Sequence, residues 1–132
     1  MKLEYDLVII GGGPAGLAVA LEARRNAVKD ILLLERDKHL GGILPQCIHN
    51  GFGLQYFKEE LTGPEYAERF IAKLNNNQID VKTETMVTKL TPDKQIIAIN
   101  RDDGLLHIQA KAVVLAMGCR ERTREAITIP GK

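Results

Sequence analysis

The sequence predicts a single α/β domain in which a parallel sheet is covered by helices. A short apolar run at residues 7–10 breaks into glycines and then continues as a helical pattern. A second apolar run, Ile31–Leu34, follows that helix, as expected of a strand-helix-strand unit with parallel strands. Residues 112–117 are nearly all apolar, which is typical of a parallel strand covered on both faces.

Length and charge narrow the range of functions. At 132 residues the chain has room for one core, so we assign residues 1–132 to one domain. Its 18 basic and 17 acidic residues leave a net charge of +1, which provides no field to attract nucleic acid or an anionic membrane. The apolar run after MKLEYD is too short for a signal peptide or a spanning helix, which favours a cytoplasmic protein. Cys47 and Cys119 form no C-x-x-C pair, so neither a disulfide framework nor a zinc site is predicted.

Residues 7–16, LVIIGGGPAG, form the segment around which the rest of the chain is organised. Gly11, Gly13 and Gly16 have the G-x-G-x-x-G spacing after a strand-like run, which is the context of a phosphate-binding loop in a Rossmann-like sheet. The glycines would permit a sharp turn, a close approach of diphosphate and tight packing of the helix, while Pro14 suits the first helical turn. Because the helix N-terminus favours anions, a diphosphate is the expected ligand. A glycine-rich turn without a ligand is the alternative.

An acidic residue at the end of the second strand supports a nucleotide site. The helical pattern ends at Arg24 and Arg25, whose cations suit the C-terminal end of a helix. The strand Ile31–Leu34 then leads to Glu35, which follows Gly11 by 24 residues. This separation is near the roughly 20 residues expected of the acid that accepts hydrogen bonds from ribose hydroxyls.

The segment after Glu35, RDKHLGGILPQCIHNGFGLQYF, is too irregular for a long helix or strand, and we interpret it as a functional loop. Gly41 and Gly42 could let the backbone pass close to a bound nucleotide, or they could form a simple turn. Further along, PQCIHNGFG places an amide, a thiol and an imidazole within four residues. This density of polar groups is unusual for a connecting loop.

Several interpretations of Cys47 and His49 remain open. With His39 they could ligate a metal, although no fourth ligand has suitable spacing, so no metal site is predicted. Either residue could attach a cofactor covalently. Cys47 could be a buried, unreactive thiol beside a histidine that is satisfied within the loop. Alternatively, both could line the reactive ring of a cofactor, where His49 would exchange a proton near neutral pH. In that case Cys47 and His49 are the candidate catalytic residues.

The second half of the chain is predicted to be mainly structural. Residues 62–65, TGPE, have the spacing of a capping box and lead into a helix whose apolar face contains Tyr66, Phe70, Ile71 and Leu74. Residues 81–90, 95–100 and 105–110 are predicted to form a meander of three strands, with turns at 91–94 and 102–104. His107 is therefore expected on a face of the sheet and not in a catalytic site.

The last apolar run, residues 112–117, is predicted to be a strand of the parallel sheet that ends at Gly118. Because ligands of open α/β sheets bind at the carboxyl ends of the strands, Gly118 should lie near the glycine loop. Beyond it, Arg120, Arg122 and Arg124 alternate with other side chains. We expect a solvated basic stretch there, with a phosphate clamp as the alternative.

Together these motifs resemble a known class of enzymes. GGGPAG at 11–16, Glu35, the Gly41 and Gly42 pair, the meander and VVLAMG at 113–118 resemble the FAD domain of flavoproteins with two dinucleotide-binding domains. Within that superfamily, LGGILPQCIHNGFG and MGCRERTR are similar to FAD/NAD(P)-dependent oxidoreductases related to opine oxidase, hydrogen cyanide synthase and the sarcosine oxidase α subunit. The resemblance covers the whole chain.

The resemblance implies FAD as the bound cofactor and NAD(P)H as the co-substrate of the full-length enzyme. The contacts that it implies are Gly11, Gly13, Pro14, Ala15 and Gly16 for the diphosphate, Glu35 and Arg36 for the adenosine half, and Gly42 with Gln46 for the flavin side. Gly118 would close the crevice. Met117 departs from the superfamily, which usually has Thr there, so a hydroxyl contact at that position is in doubt.

The resemblance also implies that residues 1–132 are part of a longer enzyme. No second G-x-G-x-x-G follows a strand, so the NAD(P)-binding domain and the return segment that adds a strand to the FAD sheet are expected to be absent. The strand at 112–117 should then have an incompletely covered flank, open to self-association or to a partner subunit. A glutathione-reductase-like disulfide site is not expected, because it would need a second cysteine near Cys47 and the sequence has none there. The alternative function is a non-catalytic dinucleotide-binding module, because the same glycines would serve it.

Overall fold

The computed structural model describes residues 2–119 and residue 128, which form a six-stranded mixed sheet with helices. The elements are β1 (Lys2–Ile10), α1 (Pro14–Arg25), β2 (Ile31–Leu34), a 3₁₀ helix (Leu44–Gln46), α2 (Gly63–Asn76), β3 (Asp80–Lys82), β4 (Thr85–Leu90), β5 (Gln95–Asn100) and β6 (Gly104–Leu115). The strand order is β3-β2-β1-β6-β5-β4. The predicted α/β class, with a parallel sheet and a meander, is confirmed. The predicted basic stretch at 120–125 lies outside the described residues.

One half of the sheet is parallel and is covered by both α-helices. β1 pairs with β2 on one side and with β6 on the other, and β3 adds a short edge strand beside β2. The helices bury an apolar cluster against this sheet, whose members include Leu7, Ile9, Leu17, Leu33, Phe70 and Leu74. In the part of the chain that the structure describes, no helix is long and apolar enough to cross a membrane.

Side chains and backbone groups close the helix ends much as the local signals predict. The Arg24 guanidinium lies at the C-terminal end of α1 and donates hydrogen bonds to the carbonyl oxygens of Val28, Lys29 and Gln78. At the start of α2, the Thr62 backbone N–H donates to the Glu65 carboxylate at 2.8 Å, and the Glu65 N–H donates to the Thr62 hydroxyl at 3.4 Å. The predicted capping box is therefore present.

The meander of β4, β5 and the first half of β6 covers the opposite face of the parallel sheet. Its inward side chains form a second apolar cluster with β1 and β2, whose members include Val8, Ile10, Leu32, Ile96, Ala98, Leu106 and Ile108. All four residues of β2 are consequently buried. This double covering explains the uninterrupted apolar runs in β1 and β2, because alternating polar residues would have no access to water.

The boundaries of three predicted strands are wrong, and the first of these is the strand at 81–90. Residues 81–90 do not form one strand, because the chain breaks at Thr83 and Glu84, where Glu84 has a φ of 49°. The Glu84 N–H then donates to the Asp37 carbonyl oxygen at 2.9 Å, and the Thr85 N–H donates to that of Glu35 at 2.9 Å. These bonds direct the chain from the sheet edge into the meander.

The segments predicted as separate strands at 105–110 and 112–117 form one strand, β6. No turn-forming residue separates them, so the strand runs on while its neighbours change. The first half of β6 pairs antiparallel with β5 as far as Gln109. From His107 to Leu115, β6 pairs parallel with β1. The second half is less covered than predicted, since Leu115 is 55% exposed.

Both central strands reverse the direction of their side chains at the same level, β1 at Asp6 and β6 at Lys111, without a shift in their register. The N–H groups of Asp6 and Leu7 both donate to the Asp30 carbonyl oxygen, at 2.9 and 3.0 Å. As a result Tyr5 shares a face with Val8, although strict alternation would place them on opposite faces. The Asp6 carboxylate is then available to Lys111 of the neighbouring strand, at 3.0 Å from its Nζ.

Candidate dinucleotide-binding site

Two glycines of the loop between β1 and α1 are required by the fold itself. Gly11 has a φ of 114°, and a Cβ there would overlap the carbonyl oxygen of Ala116 at the end of β6. A Cβ at Gly16 would overlap the carbonyl oxygen of Gly11, so α1 can approach β1 only with glycine at this position. The carboxyl ends of β1 and β6 are therefore in direct contact, as the sequence predicts for an open α/β sheet.

Gly13 differs from its neighbours because its Cβ position is nearly empty. The closest atom to a Cβ there would be the Gly42 Cα at 3.8 Å, which is ordinary van der Waals contact. Gly13 is also the N-cap of α1, where no side chain caps the helix and the first turn contains no acidic residue. Pro14 and Ala15 are exposed at this end. The helix thus presents a bare, positive N-terminus to an open space, which is the arrangement that binds phosphate.

Glu35 joins the end of β2 to the glycine loop through both carboxylate oxygens. Oε1 accepts a hydrogen bond from the Gly12 N–H at 3.1 Å, and Oε2 accepts one from the Asp37 N–H at 3.0 Å. The side chain is only 8% exposed. Arg36, the next residue, is exposed to solvent. Glu35 therefore lies beside the loop, as the spacing predicts, and its carboxylate also holds backbone in place.

Gly12 is a further candidate site residue, which the sequence did not single out. It occupies a variable position of the fingerprint, yet a Cβ there would lie 2.6 Å from the Leu40 Cδ2 and 3.3 Å from the Glu35 Cβ. Its N–H is also the donor to Glu35. The signal that could have revealed it is the run of three glycines at 11–13, which is more than the fingerprint requires.

The Gly41 and Gly42 pair packs directly on the glycine loop. The Gly41 N–H donates to the Gly12 carbonyl oxygen at 2.7 Å, and both glycines of the pair have positive φ. A Cβ on Gly42 would lie 3.1 Å from the Gly13 Cα. The two loops therefore meet backbone to backbone next to the open space at Gly13. The predicted approach of this pair to a bound nucleotide stays a prediction.

The remaining candidates lie farther along the same loop. Gln46 is exposed at the end of the 3₁₀ helix. The Cys47 thiol is half-buried and donates to the Ile43 carbonyl oxygen at 3.5 Å, while its own carbonyl accepts from the Gly63 N–H at 2.7 Å. His49 is exposed, with its ring 5.1 Å from that of Phe52. Cys47 is thus hydrogen-bonded to the start of α2, whereas the exposed His49 packs against Phe52.

Gly118 follows the end of β6 in an open position. It has a φ of 70°, and a Cβ there would meet no atom within 4 Å. Gly11 contacts Ala116, at the end of β6. Gly118 follows this contact by two residues. No group of three or more His, Cys, Asp or Glu side chains within residues 2–119 could hold a metal ion.

Comparison with known proteins identifies the family. The model of the pyridine nucleotide-disulphide oxidoreductases matches residues 5–132, almost the whole chain. The chain belongs to this family. Its members use FAD and NAD(P)H, which agrees with the cofactors that the sequence resemblance implies.

Proteins similar to this chain include enzymes and enzyme subunits. Hydrogen cyanide synthase subunit HcnB of Pseudomonas protegens is 30% identical over 98% of this chain and 27% of its own length. Among solved structures, L-proline dehydrogenase from P. horikoshii has a TM-score of 0.78 and 29% identity, over 92% of this chain and 24% of its own. Thioredoxin reductase of Lactococcus lactis has a TM-score of 0.71 and 29% identity, over 96% and 39%. The chain therefore spans about a quarter of HcnB's length.

Proposed function

We propose that this chain is the FAD-binding portion of an FAD-dependent, NAD(P)H-linked oxidoreductase. The observation that carries the proposal is the open space at Gly13, bounded by the bare N-terminus of α1, the Gly42 backbone and the nearby Glu35. At the other glycines of the loop, Gly11, Gly12 and Gly16, a Cβ would overlap neighbouring atoms. The space is thus kept for a ligand, and the surrounding groups favour an anion on one side and hydroxyl groups on the other.

The diphosphate of FAD fits the start of α1. The loop and the first turn of α1 offer the backbone N–H groups of Gly13, Ala15 and Gly16 as donors to the diphosphate. Pro14 has no N–H, but the helix does not use one at this position. A diphosphate carries its charge where the helix dipole is positive, and glycine at 13 lets it approach the backbone. Gly11 and Gly12 hold the loop in the shape that presents these groups.

The adenosine ribose fits the carboxylate of Glu35. Each oxygen accepts one backbone N–H, and an ionised carboxylate has about four acceptor positions, so capacity for two ribose hydroxyls remains. Its negative charge would repel a 2′-phosphate, so NADP is not expected at this site despite the neighbouring Arg36. The exposed Arg36 would contact the adenosine half from the solvent side.

The flavin half would extend along the loop toward the end of β6. Gly41 and Gly42 leave the backbone close to Gly13, and Gln46 and Gly118 are the exposed groups farther along this path. Cys47 and His49 are the candidate catalytic residues on the same loop. The chemistry that FAD supplies when bound is two-electron transfer from NAD(P)H. We place this chemistry in a cytoplasmic, longer enzyme.

The test is to purify the chain in excess FAD and record its visible spectrum and its flavin content after gel filtration. Calorimetric titrations with FAD, ADP and NADP follow, at protein concentrations high enough to detect weak binding. We expect binding of FAD and ADP, weaker or no binding of NADP, and no oxidation of NADH or NADPH by these 132 residues. A folded protein that binds neither FAD nor ADP would overturn the proposal, and a flavin that stays oxidised in the longer enzyme with NAD(P)H would favour the non-catalytic module.

A further inference from the structure

Asn100 and Thr85 form a buried polar pair between two neighbouring strands of the meander. Asn100 ends β5 and lies opposite Thr85, the first residue of β4. The two residues are only 8% and 2% exposed, so their polar atoms need partners within the protein. The Asn100 Nδ2 donates to the Thr85 Oγ1 at 2.6 Å and to the Thr83 carbonyl oxygen at 3.2 Å. The Thr85 hydroxyl donates to that same carbonyl at 2.8 Å, which closes a ring of hydrogen bonds beside the break between β3 and β4.

The oxygen of the Asn100 amide holds the turn that follows β5. It accepts hydrogen bonds from the N–H groups of Asp102 at 2.8 Å and Asp103 at 3.2 Å. The Asp103 carboxylate also accepts from the Lys82 Nζ at 2.9 Å, which joins this turn to β3. A side-chain amide has two N–H donors and an oxygen that accepts two bonds, so all four positions are used. The network therefore requires an amide at position 100, with its nitrogen toward the break.

The break between β3 and β4 holds the backbone of the turn after β2. At the break the Glu84 N–H donates to the Asp37 carbonyl oxygen, and the Thr85 N–H donates to that of Glu35, both at 2.9 Å. Glu84 has a φ of 49°, a conformation that a residue with a side chain keeps where its surroundings hold it. The Asn100 Nδ2 bonds the residue on each side of Glu84. Without these bonds we expect the break to straighten and to withdraw its two N–H groups from the turn.

We propose that Asn100 is a positioning residue for the Glu35 carboxylate. Asn100 holds the break, the break holds the backbone at Glu35 and Asp37, and from that backbone the carboxylate reaches the Gly12 N–H at 3.1 Å. The inference rests on the proposed function in one respect, which is the assignment of Glu35 to the ribose. Hydrogen bonds tolerate only small errors in distance and angle, so a carboxylate that is no longer held should lose its contacts with ribose hydroxyls.

Four substitutions separate the parts of this network. Asn100→Asp keeps the acceptor for the turn, removes both donors and places an oxygen against the Thr83 carbonyl. Thr85→Val removes the hydroxyl, and these two are the disrupting variants, either of which is sufficient if the other does not fold. Thr85→Ser keeps the hydroxyl and is the rescue variant. Ile96→Val is the matched control, because it removes a buried carbon from β5 near the opposite end of that strand.

The first measurement is amide hydrogen exchange, followed by NMR on the chain without ligand. The Gly12 and Asp37 N–H groups both donate to the Glu35 carboxylate, so their exchange reports whether it is held. Rates are taken relative to amides in the centre of β1, which corrects for a loss of global stability. In the disrupting variants these relative rates should rise about tenfold or more, while the rescue and control variants should keep the values of the parent chain.

The second measurement is calorimetric titration with ADP and with 2′-deoxy-ADP. The parent chain should bind ADP roughly ten- to a hundredfold more tightly, because only ADP offers a 2′-hydroxyl to Glu35. The disrupting variants should reduce this preference to about threefold or less, because a displaced carboxylate cannot accept that bond. The rescue and control variants should retain it. A loss of stability alone would weaken both nucleotides equally and leave the preference unchanged.

Each result supports or overturns the inference once circular dichroism shows that the variants are folded. Faster relative exchange at Gly12 and Asp37, together with a lost preference for ADP, supports it. Relative rates that stay at the parent's values in the disrupting variants, or that rise equally in Ile96→Val, overturn it whether or not ADP binds. A preference for ADP that survives the faster exchange also overturns it. A parent chain that binds both nucleotides equally, or neither, instead refutes the ribose assignment of the proposed function, and the exchange rates still decide whether Asn100 positions the carboxylate.

Discussion

Replacing Gly13 by valine should separate ligand binding from folding. The residue has φ −78° and ψ −169°, an extended conformation that β-branched side chains adopt readily. A Cβ there meets only the Gly42 Cα at 3.8 Å. The folding cost should therefore be about 1 kcal/mol, the scale of a less favourable N-cap residue. A Gly13→Ala chain is the milder step in the same direction.

The cost to binding should be much larger. A side chain at this position occupies the space assigned to the diphosphate and keeps it from the loop N–H groups. Loss of two charge-assisted hydrogen bonds, at roughly 1.5 to 3 kcal/mol each, amounts to about 3 to 6 kcal/mol. This corresponds to a two to four orders of magnitude weaker dissociation constant for FAD. Calorimetric titration measures the affinity, and thermal unfolding followed by circular dichroism measures the stability.

Two further substitutions make the test specific. Ala18→Val adds the same branched side chain on the exposed face of α1 and should leave FAD affinity unchanged. Gly16→Ala should prevent folding, because its Cβ overlaps the Gly11 carbonyl oxygen. If the Gly13→Val chain binds FAD as tightly as the parent does, the diphosphate does not lie at this loop and the site assignment is wrong.

Three other outcomes follow from the structure. Glu35→Gln leaves one of two backbone amides without its acceptor, so the free energy of unfolding should fall by about 1 to 3 kcal/mol and FAD should bind roughly ten- to a hundredfold more weakly. Unchanged affinity would remove Glu35 from the site. Burial, followed by a hydrogen bond to Asp80, raises the pKa of Tyr5 to about 12, so its contribution to stability is complete below pH of about 10 and is lost as pH rises toward 12. Denaturant titrations across that range should show a smaller decline in Tyr5→Phe than in the parent, because the raised pKa of Lys111, which is hydrogen-bonded to Asp6, adds a decline that both chains share. Gly63→Ala should destabilise the protein by about 1 to 3 kcal/mol, because its Cβ would overlap the 3₁₀ segment, whereas helix propensity alone predicts stabilisation of about 1 kcal/mol. Urea unfolding decides the sign.

The parts of the fold that sequence predicts well are those with local causes. The capping box at Thr62 and the proline after Gly13 fix the starts of α2 and α1 through contacts within one turn. The uninterrupted apolar run of β2 indicates burial on both faces, and the structure buries all four residues. Such signals are visible because the residues that interact are close together in the chain.

The features that were missed depend on contacts between distant segments. β6 changes neighbours at its middle without a turn, so its continuity cannot be read from its own residues. The bond from Gly12 to Glu35 joins positions 23 residues apart and uses a backbone donor that every residue except proline has. The reversal of side-chain direction at Asp6 similarly follows from the neighbouring strands and not from a local glycine or proline. Composition and periodicity carry no information about such pairings.

The pairing of the first strand with the last has a consequence for biosynthesis. The register joins Lys2 to His107 and Ile10 to Leu115, so the central strand pair connects the two ends of the described chain. During translation β1 leaves the ribosome long before β6 is synthesised. Its apolar side chains stay unpaired with β6 until about a hundred further residues have been added. Contacts between residues so distant in sequence slow folding, and they prolong the time for which the apolar strands are exposed to aggregation. We therefore expect the nascent chain to depend on chaperones until β6 has emerged.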